Sequence, residues 1–214
     1  MEHMIKKILY GVWKDKSLAR IYLNAHLEKI KLTGEVLDVG CGSNTKYLDF
    51  VPRASGMRMH IFDPKVGSTI DFEKDPLPYT ENTFDMVLVF NVLEHVFSYD
   101  HLISEMKKVL KTEGVLHGFT PFLVRYHPDP HDFFRYTDEA LARILSAHTF
   151  KNITVVPIGA GPCMAALNVF MLSIPRILRV VATPIAYMCD KVFLRFRPGS
   201  RSIYPMGYYF KATK

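Results

Sequence analysis

The sequence predicts a doubly wound α/β fold, a mostly parallel sheet with helices on both faces. Two observations carry that prediction. Short apolar runs of strand length (Val36–Val39, Met57–Phe62, Phe84–Phe90, Val115–Thr120) alternate with stretches of helical periodicity. Strand–helix alternation of this kind is what a parallel sheet with covering helices requires. The first run, Glu35-Val-Leu-Asp-Val39, leads straight into Gly40-Cys41-Gly42-Ser43-Asn44. A glycine-rich turn at the carboxyl end of a strand is where open α/β sheets hold nucleotide-like ligands.

The elements follow in order. Ile5, Ile8, Leu9, Trp13, Leu18, Ile21, Tyr22 and Leu27 recur at near-helical spacing, so residues 3–30 read as helix within an N-terminal helical segment, 1–33. After the first strand, residues 44–51 suit a short helix. Met57–Phe62 is the second strand, ending at Asp63-Pro64, and Ser68–Phe72 a third. Asp75-Pro-Leu-Pro-Tyr79 is a loop directed by its prolines. Phe84–Phe90 is apolar almost throughout, as in a strand buried on both faces, with Phe84 and Asp85 bracing its start. His101–Leu110 reads as a helix stopped by Thr112-Glu-Gly114, and Val115–Thr120 as a fifth strand. A helix over 138–148, a sixth strand over Ile153–Pro157 and a seventh over Gly207–Ala212 complete the pattern.

With 214 residues, 49% hydrophobic and 22% charged, the chain reads as one globular domain, 1–214. Cys41, Cys163 and Cys189 lack metal-type spacing and make no disulfide framework, which suits a reducing, cytoplasmic compartment. The first residues lack the long apolar core of a signal peptide. The net charge of +6 is unevenly placed: residues 151–214 hold nine Lys/Arg against one acid, Asp190. That basic part calls for an anionic neighbour.

The glycine turn departs from G-x-G-x-x-G, because Thr45 stands where a third glycine belongs. Asp63 follows at the distance where an acid meets ribose hydroxyls. Asp38, an acid on a buried strand, needs a partner, and an ammonium group on a ligand supplies one. Asp71-Phe72 ends the third strand with an acid to accept from an exocyclic amine and an aromatic to cover a purine face. Asn91-Val-Leu-Glu-His95 closes the crevice. Together these residues ask for an amine, a ribose and an adenine without a pyrophosphate, the parts of S-adenosylmethionine (SAM). Cys41 reads as a small space-filler in the turn rather than a nucleophile. For Glu94 a helix-start role is as good a reading as ligand contact.

EVLDVGCGSN, the acid Asp63, DFEKDPLPYTENTFDMVLVFNVLEHV and EMKKVLKTEGVLHGFTPF, in that order over residues 34–122, resemble the class I SAM-dependent methyltransferases, with the type 11 methyltransferase domain closest. The resemblance implies a Rossmann-like seven-stranded sheet with an antiparallel last strand. It implies that Asp38, Gly40, Cys41 and Gly42 line the methionine part of SAM and that Asp63 binds the ribose hydroxyls. It places Asp71 and Phe72 at the adenine and Asn91 near the methyl group. Ser43-Asn44 stands where many members carry a further glycine, and Asn tolerates the left-handed geometry such a turn needs.

Methyl transfer from a sulfonium is an in-line displacement, so the protein's main task is positioning. A hydroxyl acceptor also needs a base within hydrogen-bond reach. The segment Arg125-Tyr-His-Pro-Asp-Pro-His-Asp-Phe-Phe-Arg-Tyr-Thr137 follows the fifth strand on the cofactor side. It predicts His131 or His127 as base, Asp132 as its orienter, and Arg125 or Arg135 with the aromatics as substrate contacts. The alternative is a structural loop, with Thr137 or Asp138 capping the next helix and Arg135 paired to a carboxylate. No metal centre is expected: His127-x3-His131-Asp132 could chelate, but the sequence offers no supporting ligand cluster. The fourth strand ends in FNVLEH rather than in the Asn/Asp-Pro-Pro-Tyr/Phe turn of amino-methylating adenine enzymes, and has no Pro-Cys pair as in cytosine C5 enzymes. A nucleic-acid acceptor is therefore disfavoured.

Residues 160–200 form a hydrophobic, basic insertion before the last strand. Within Cys163–Leu194, Arg176, Arg179, Thr183, Tyr187 and Asp190 share one helical stripe and the rest is apolar, while Pro175 and Pro184 should break or kink the helix. The arginines and prolines argue against a simple transmembrane span. Two occupants suit the apolar surface: an anionic membrane on the inner face, favoured slightly by Arg195, Arg197 and Arg201, or a cap or homodimer contact. The resulting expectation is SAM-dependent O-methylation of a small-molecule, sugar or lipid-linked acceptor. A quinone-like metabolite is the other substrate class. A non-catalytic SAM- or RNA-binding module, using aromatics interleaved with Arg near the C-terminus, is the reading from a different class.

Overall fold

The computed structural model describes residues 2–41, 45–62 and 70–214. In chain order the helices are α1 (Glu2–Trp13), α2 (Leu18–Leu27), α3 (Tyr99–Val109), α4 (Asp138–Ala147), α5 (Pro162–Phe170) and α6 (Arg176–Phe196), with short helical turns between. The strands are β1 (Glu35–Val39), β2 (Arg58–Phe62), β3 (Phe84–Phe90), β4 (Leu110–Pro121), β5 (Lys151–Ile158) and β6 (Gly207–Thr213). The chain divides into two compact units. One comprises Leu27–Thr120, His127–Val156 and Tyr208–Lys214; the other Met1–His26, Pro121–Tyr126 and Pro157–Gly207.

The larger unit is built on a mixed α/β sheet with strand order β2-β1-β3-β4-β6-β5. Strand β1 pairs in parallel with β2 (Asp38 opposite Ile61) and with β3 (Asp38 opposite Leu88), and β3 in parallel with β4 (Phe90 opposite Phe119). The run of β3 is central because it is apolar on both faces: Phe84, Val87, Leu88 and Val89 are all buried. At Gly118 a Cβ would lie 2.0 Å from Cζ of Phe210, so the absence of a side chain on β4 lets the β6 phenyl ring cross it.

Three expectations change. The 3–30 helix is two helices, interrupted where Asp15 takes a left-handed φ of 57°. The third strand is absent from its described part. Asp71 and Asp75 close a turn instead, Asp75 Oδ2 accepting the Asp71 N–H at 2.8 Å and Asp71 Oδ1 that of Glu73 at 3.0 Å. Six strands therefore stand in the sheet among the described residues. Thr112-Glu-Gly114 is not a stop between helix and strand: β4 begins at Leu110 and bulges outward, the register passing from Phe84–Leu110 to Met86–Val115, with Glu113 at φ 61°.

The smaller unit holds α1, most of α2, α5 and α6. Pro175 caps the start of α6, as its fixed φ and missing N–H allow, whereas Pro184 is carried inside the helix rather than ending it. The polar stripe of α6 faces its own unit. Asp190 is buried and accepts the N–H groups of Cys163 (2.8 Å) and Met164 (2.9 Å), capping the N-terminus of α5. Thr183 is buried on the Arg179 carbonyl at 2.6 Å, and Arg176 and Arg179 pair with Asp15. The opposite face is turned outward: Ile177, Val181, Ile185, Met188, Val192 and Phe196 follow one helical stripe, with exposures reaching 72% at Ile177 and 77% at Phe196. Among the described residues no helix is long and apolar enough to cross a membrane.

Candidate active site

Three segments meet at Gly40, where β1 ends. Its φ of +74° lies in the left-handed region, and its N–H donates to the Phe62 carbonyl at 2.7 Å. A Cβ there would stand 2.7 Å from Cγ2 of Val92 and 3.5 Å from Cε2 of Phe72. Asp38, buried one turn of the pleat earlier, accepts the Tyr47 hydroxyl from the 3-10 turn Thr45–Phe50. The chain thus supplies Asp38 with one donor of its own. Cys41 is half-buried. Gly42 and Asp63 lie outside the described residues.

Phe72 packs its ring on Phe62 at 5.9 Å, beside Gly40. Asp71 is tied to the turn described above. The Glu73 N–H, and after it Lys74, hold its carboxyl below the ordinary carboxylate range. Asn91 closes β3 in a left-handed conformation, φ 56°, with its N–H on the Phe119 carbonyl at 2.9 Å. Asn is among the few side chains that accept this geometry. The kink turns the chain into a single 3-10 turn, Leu93–His95.

The histidine loop folds onto that turn. Phe133 N–H donates to the Glu94 carbonyl at 2.8 Å, and the buried Tyr136 hydroxyl to the Leu93 carbonyl at 3.2 Å. Burial raises the Tyr136 pKa and keeps the phenol protonated. His127 is brought to the site: its Nε2 lies 3.9 Å from Oε1 of Glu94 and its Nδ1 3.4 Å from Oδ2 of Asp132. The Asp132 side chain is fully buried and accepts from Arg135 (Nη2–Oδ2, 2.6 Å) and from the His127 N–H (2.9 Å). Arg135 above all lowers its pKa to about 2, so it is an anion at neutral pH.

The ring of His131 is placed elsewhere. It stacks on Phe133 at 5.0 Å in an exposed position, and only its backbone carbonyl faces the site, 2.5 Å from Nδ1 of His95. Arg135 is committed to Asp132, and Thr137 caps α4 by accepting the Ala140 N–H at 3.1 Å, as the structural reading of the loop expected. The aromatics pack on one another through Phe97, Tyr99, Phe133, Phe134 and Tyr136, while Arg125 is exposed. Glu94 and His95 are the residues that sequence reasoning undervalued. The signal was their place at the carboxyl end of the central strand, in the crevice a doubly wound sheet offers to ligands.

The model of a family described as a methyltransferase domain matches residues 13–155. The chain belongs to this family, within the class I SAM-dependent methyltransferases. Its cofactor is SAM. Over 91 residues it is 37% identical to an uncharacterised protein of Methanocaldococcus jannaschii, covering 38% of this chain and 38% of that protein. Over 116 residues it is 34% identical to a probable methyltransferase of Aspergillus luteorubrus, covering 42% of this chain and 41% of that one. The chain thus spans less than half the length of these curated relatives. A SAM-dependent methyltransferase from Archaeoglobus fulgidus shares the fold with a TM-score of 0.53 at 15% identity, 97% of this chain covering 99% of that one. The [4+2]-cyclase SpnF matches as well, with a TM-score of 0.53 at 18% identity, covering 92% of this chain and 80% of that chain. The end of β1 fits a nucleoside-bearing cofactor: a left-handed glycine, where Val92 leaves no room for a side chain, stands beside the Phe72 ring at the carboxyl end of the strand.

Proposed function

We propose that this methyltransferase transfers the methyl group of SAM to a hydroxyl oxygen of a small, sugar-like or lipid-linked acceptor. The arrangement that carries the reading is His127 between two acids. Asp132 is held as an anion by Arg135 and faces Nδ1, which favours the tautomer protonated there and leaves Nε2 as the basic nitrogen. Nε2 lies on the Glu94 side, next to the turn that follows Asn91. When bound, SAM supplies an electrophilic methyl group on a sulfonium leaving group. What remains for the chain is to orient the hydroxyl and to take up its proton.

A lipid-linked acceptor is supported by the outward apolar face of α6, with Lys191 and Arg195 on the same helix and the exposed Trp13 and Tyr10 in the same unit. Apolar stripe, basic residues and aromatics together suit an anionic membrane interface. The test of the reaction is His127→Ala. SAM binding by equilibrium dialysis stays near wild type, while labelled methyl transfer to glycan and lipid extracts is lost. Wild-type turnover in that variant would refute the role of His127, and transfer confined to amine acceptors would refute the oxygen assignment.

A further inference from the structure

We infer that Glu94, His95 and His127 form a site for a divalent transition-metal ion of the zinc class. Glu94 is 0% exposed, and neither of its carboxylate oxygens has a hydrogen-bond partner among the described residues. A buried carboxylate is costly unless a cation or donors satisfy it. The Arg135 guanidinium senses its charge while donating to Asp132, and two imidazoles face it: Nε2 of His95 stands 3.7 Å and Nε2 of His127 3.9 Å from Oε1. The three donor atoms all lie within 4.8 Å of one another.

The outer contacts of both rings aim lone pairs inward. A backbone carbonyl only accepts, so the 2.5 Å contact of His95 Nδ1 with the His131 oxygen puts the ring proton on Nδ1. The Asp132 carboxylate, held by Arg135, faces His127 Nδ1 at 3.4 Å. Both rings thus turn Nε2 towards the Glu94 carboxylate, and three potential ligand atoms converge on one point.

A shared proton fits this spacing poorly, because hydrogen bonds between such atoms run to about 3.2 Å at most. A metal ion fits better. Zinc bonds of about 2.0–2.1 Å set neighbouring tetrahedral donors about 3.3 Å apart, so each imidazole needs to approach the Glu94 carboxylate by only about half an ångström from its 3.7 and 3.9 Å. A carbonyl on one Nδ1 and a carboxylate facing the other are partners of the kind that metal-binding histidines ordinarily have. Two imidazoles and one carboxylate select zinc or a neighbouring first-row ion over magnesium or calcium, and three protein ligands leave a coordination position open.

The site itself does not depend on the acceptor's identity. Its use in catalysis rests on the O-methylation reading. A hydroxyl taken into the open position would be acidified by the ion and would release its proton to water, with His127 holding the ion rather than the proton.

The test uses the full chain stripped of metal and titrated with Zn²⁺ by calorimetry and with Co²⁺ by visible absorption. One equivalent binds. Glu94→Gln, His95→Ala and His127→Ala each lose at least about tenfold in affinity, the scale at which even the outer partners of metal ligands act. His148→Ala, which removes a histidine paired with Asp100 outside the cluster, binds as wild type does. Circular dichroism of the metal-free variants separates lost ligation from lost folding. Failure of the wild-type chain to take up Zn²⁺ or Co²⁺, or undiminished binding in folded Glu94→Gln and His127→Ala, would overturn the site. Full turnover of the stripped chain would overturn the ion's catalytic use and leave His127 as base.

Discussion

Gly40→Ala separates the geometry of the cofactor turn from the ordinary cost of a left-handed residue, because the chain contains a matched control. Gly40 and Gly56 hold φ at +74° and +79°. A Cβ at Gly56 meets nothing within 4 Å, whereas at Gly40 it meets Cγ2 and Cγ1 of Val92 at 2.7 and 3.1 Å. Gly56→Ala therefore reads the backbone term alone, about 1–2 kcal/mol. Gly40→Ala adds the displacement of a buried β-branched side chain, about 1–3 kcal/mol more. Urea unfolding of the two variants measures both terms. Val92→Ala in the Gly40→Ala background removes the clashing methyl groups, so the double variant should lose less than the sum of the single losses. Val92 directly follows Asn91, which the family resemblance puts near the methyl group, so the same variants test whether this turn holds the cofactor. SAM affinity should fall at least about tenfold, or 1.4 kcal/mol, in Gly40→Ala and stay unchanged in Gly56→Ala. Equal destabilisation in the two variants, or wild-type SAM affinity in Gly40→Ala, would refute the reasoning.

Two further outcomes concern the smaller unit. Asp190→Ala strips the acceptor from two amides at the start of α5 and should cost about 1–3 kcal/mol in urea unfolding, with Asp190→Asn, which keeps one oxygen acceptor, losing less. Val181→Glu combined with Ile185→Glu places two charges on the exposed stripe of α6, so stability should change by no more than about 0.5 kcal/mol per site while sedimentation with anionic vesicles is lost. Wild-type protein that ignores such vesicles but dimerises with concentration would assign the stripe to a second copy instead.

What the sequence made legible followed from patterns that local chemistry enforces. Phe84–Phe90 reads as a central strand because nothing polar interrupts it, and it lies at the middle of the sheet. The polar stripe of α6 was visible in the periodicity of Arg176, Arg179, Thr183, Tyr187 and Asp190. Its direction was not, since periodicity gives faces and leaves open which one turns inward. Asp190 decides that: its carboxylate satisfies the amides opening α5, and the apolar side is left outward. The described end of the expected third strand is a turn because Asp71 and Asp75 satisfy backbone amides with their own side chains, a competitor to strand pairing that an apolar count misses.

The histidine loop shows the same limit at the scale of single residues. His127 and His131 are chemically equivalent in the sequence, four positions apart in one proline-braced segment. The structure uses them differently: the ring of His127 beside Glu94 and Asp132, and only the carbonyl of His131, as the acceptor that fixes His95. No residue-type argument distinguishes them, because the choice lies in which way the backbone runs between the Glu94 carbonyl and the Phe133 amide. Nor did the sequence weigh Glu94 correctly, since an acid opening a helical turn has an ordinary explanation. Its weight comes from three facts that only coordinates hold together: complete burial, two oxygens without donors among the described residues, and two imidazole nitrogens facing them, one from the next residue and one from a segment more than thirty positions on.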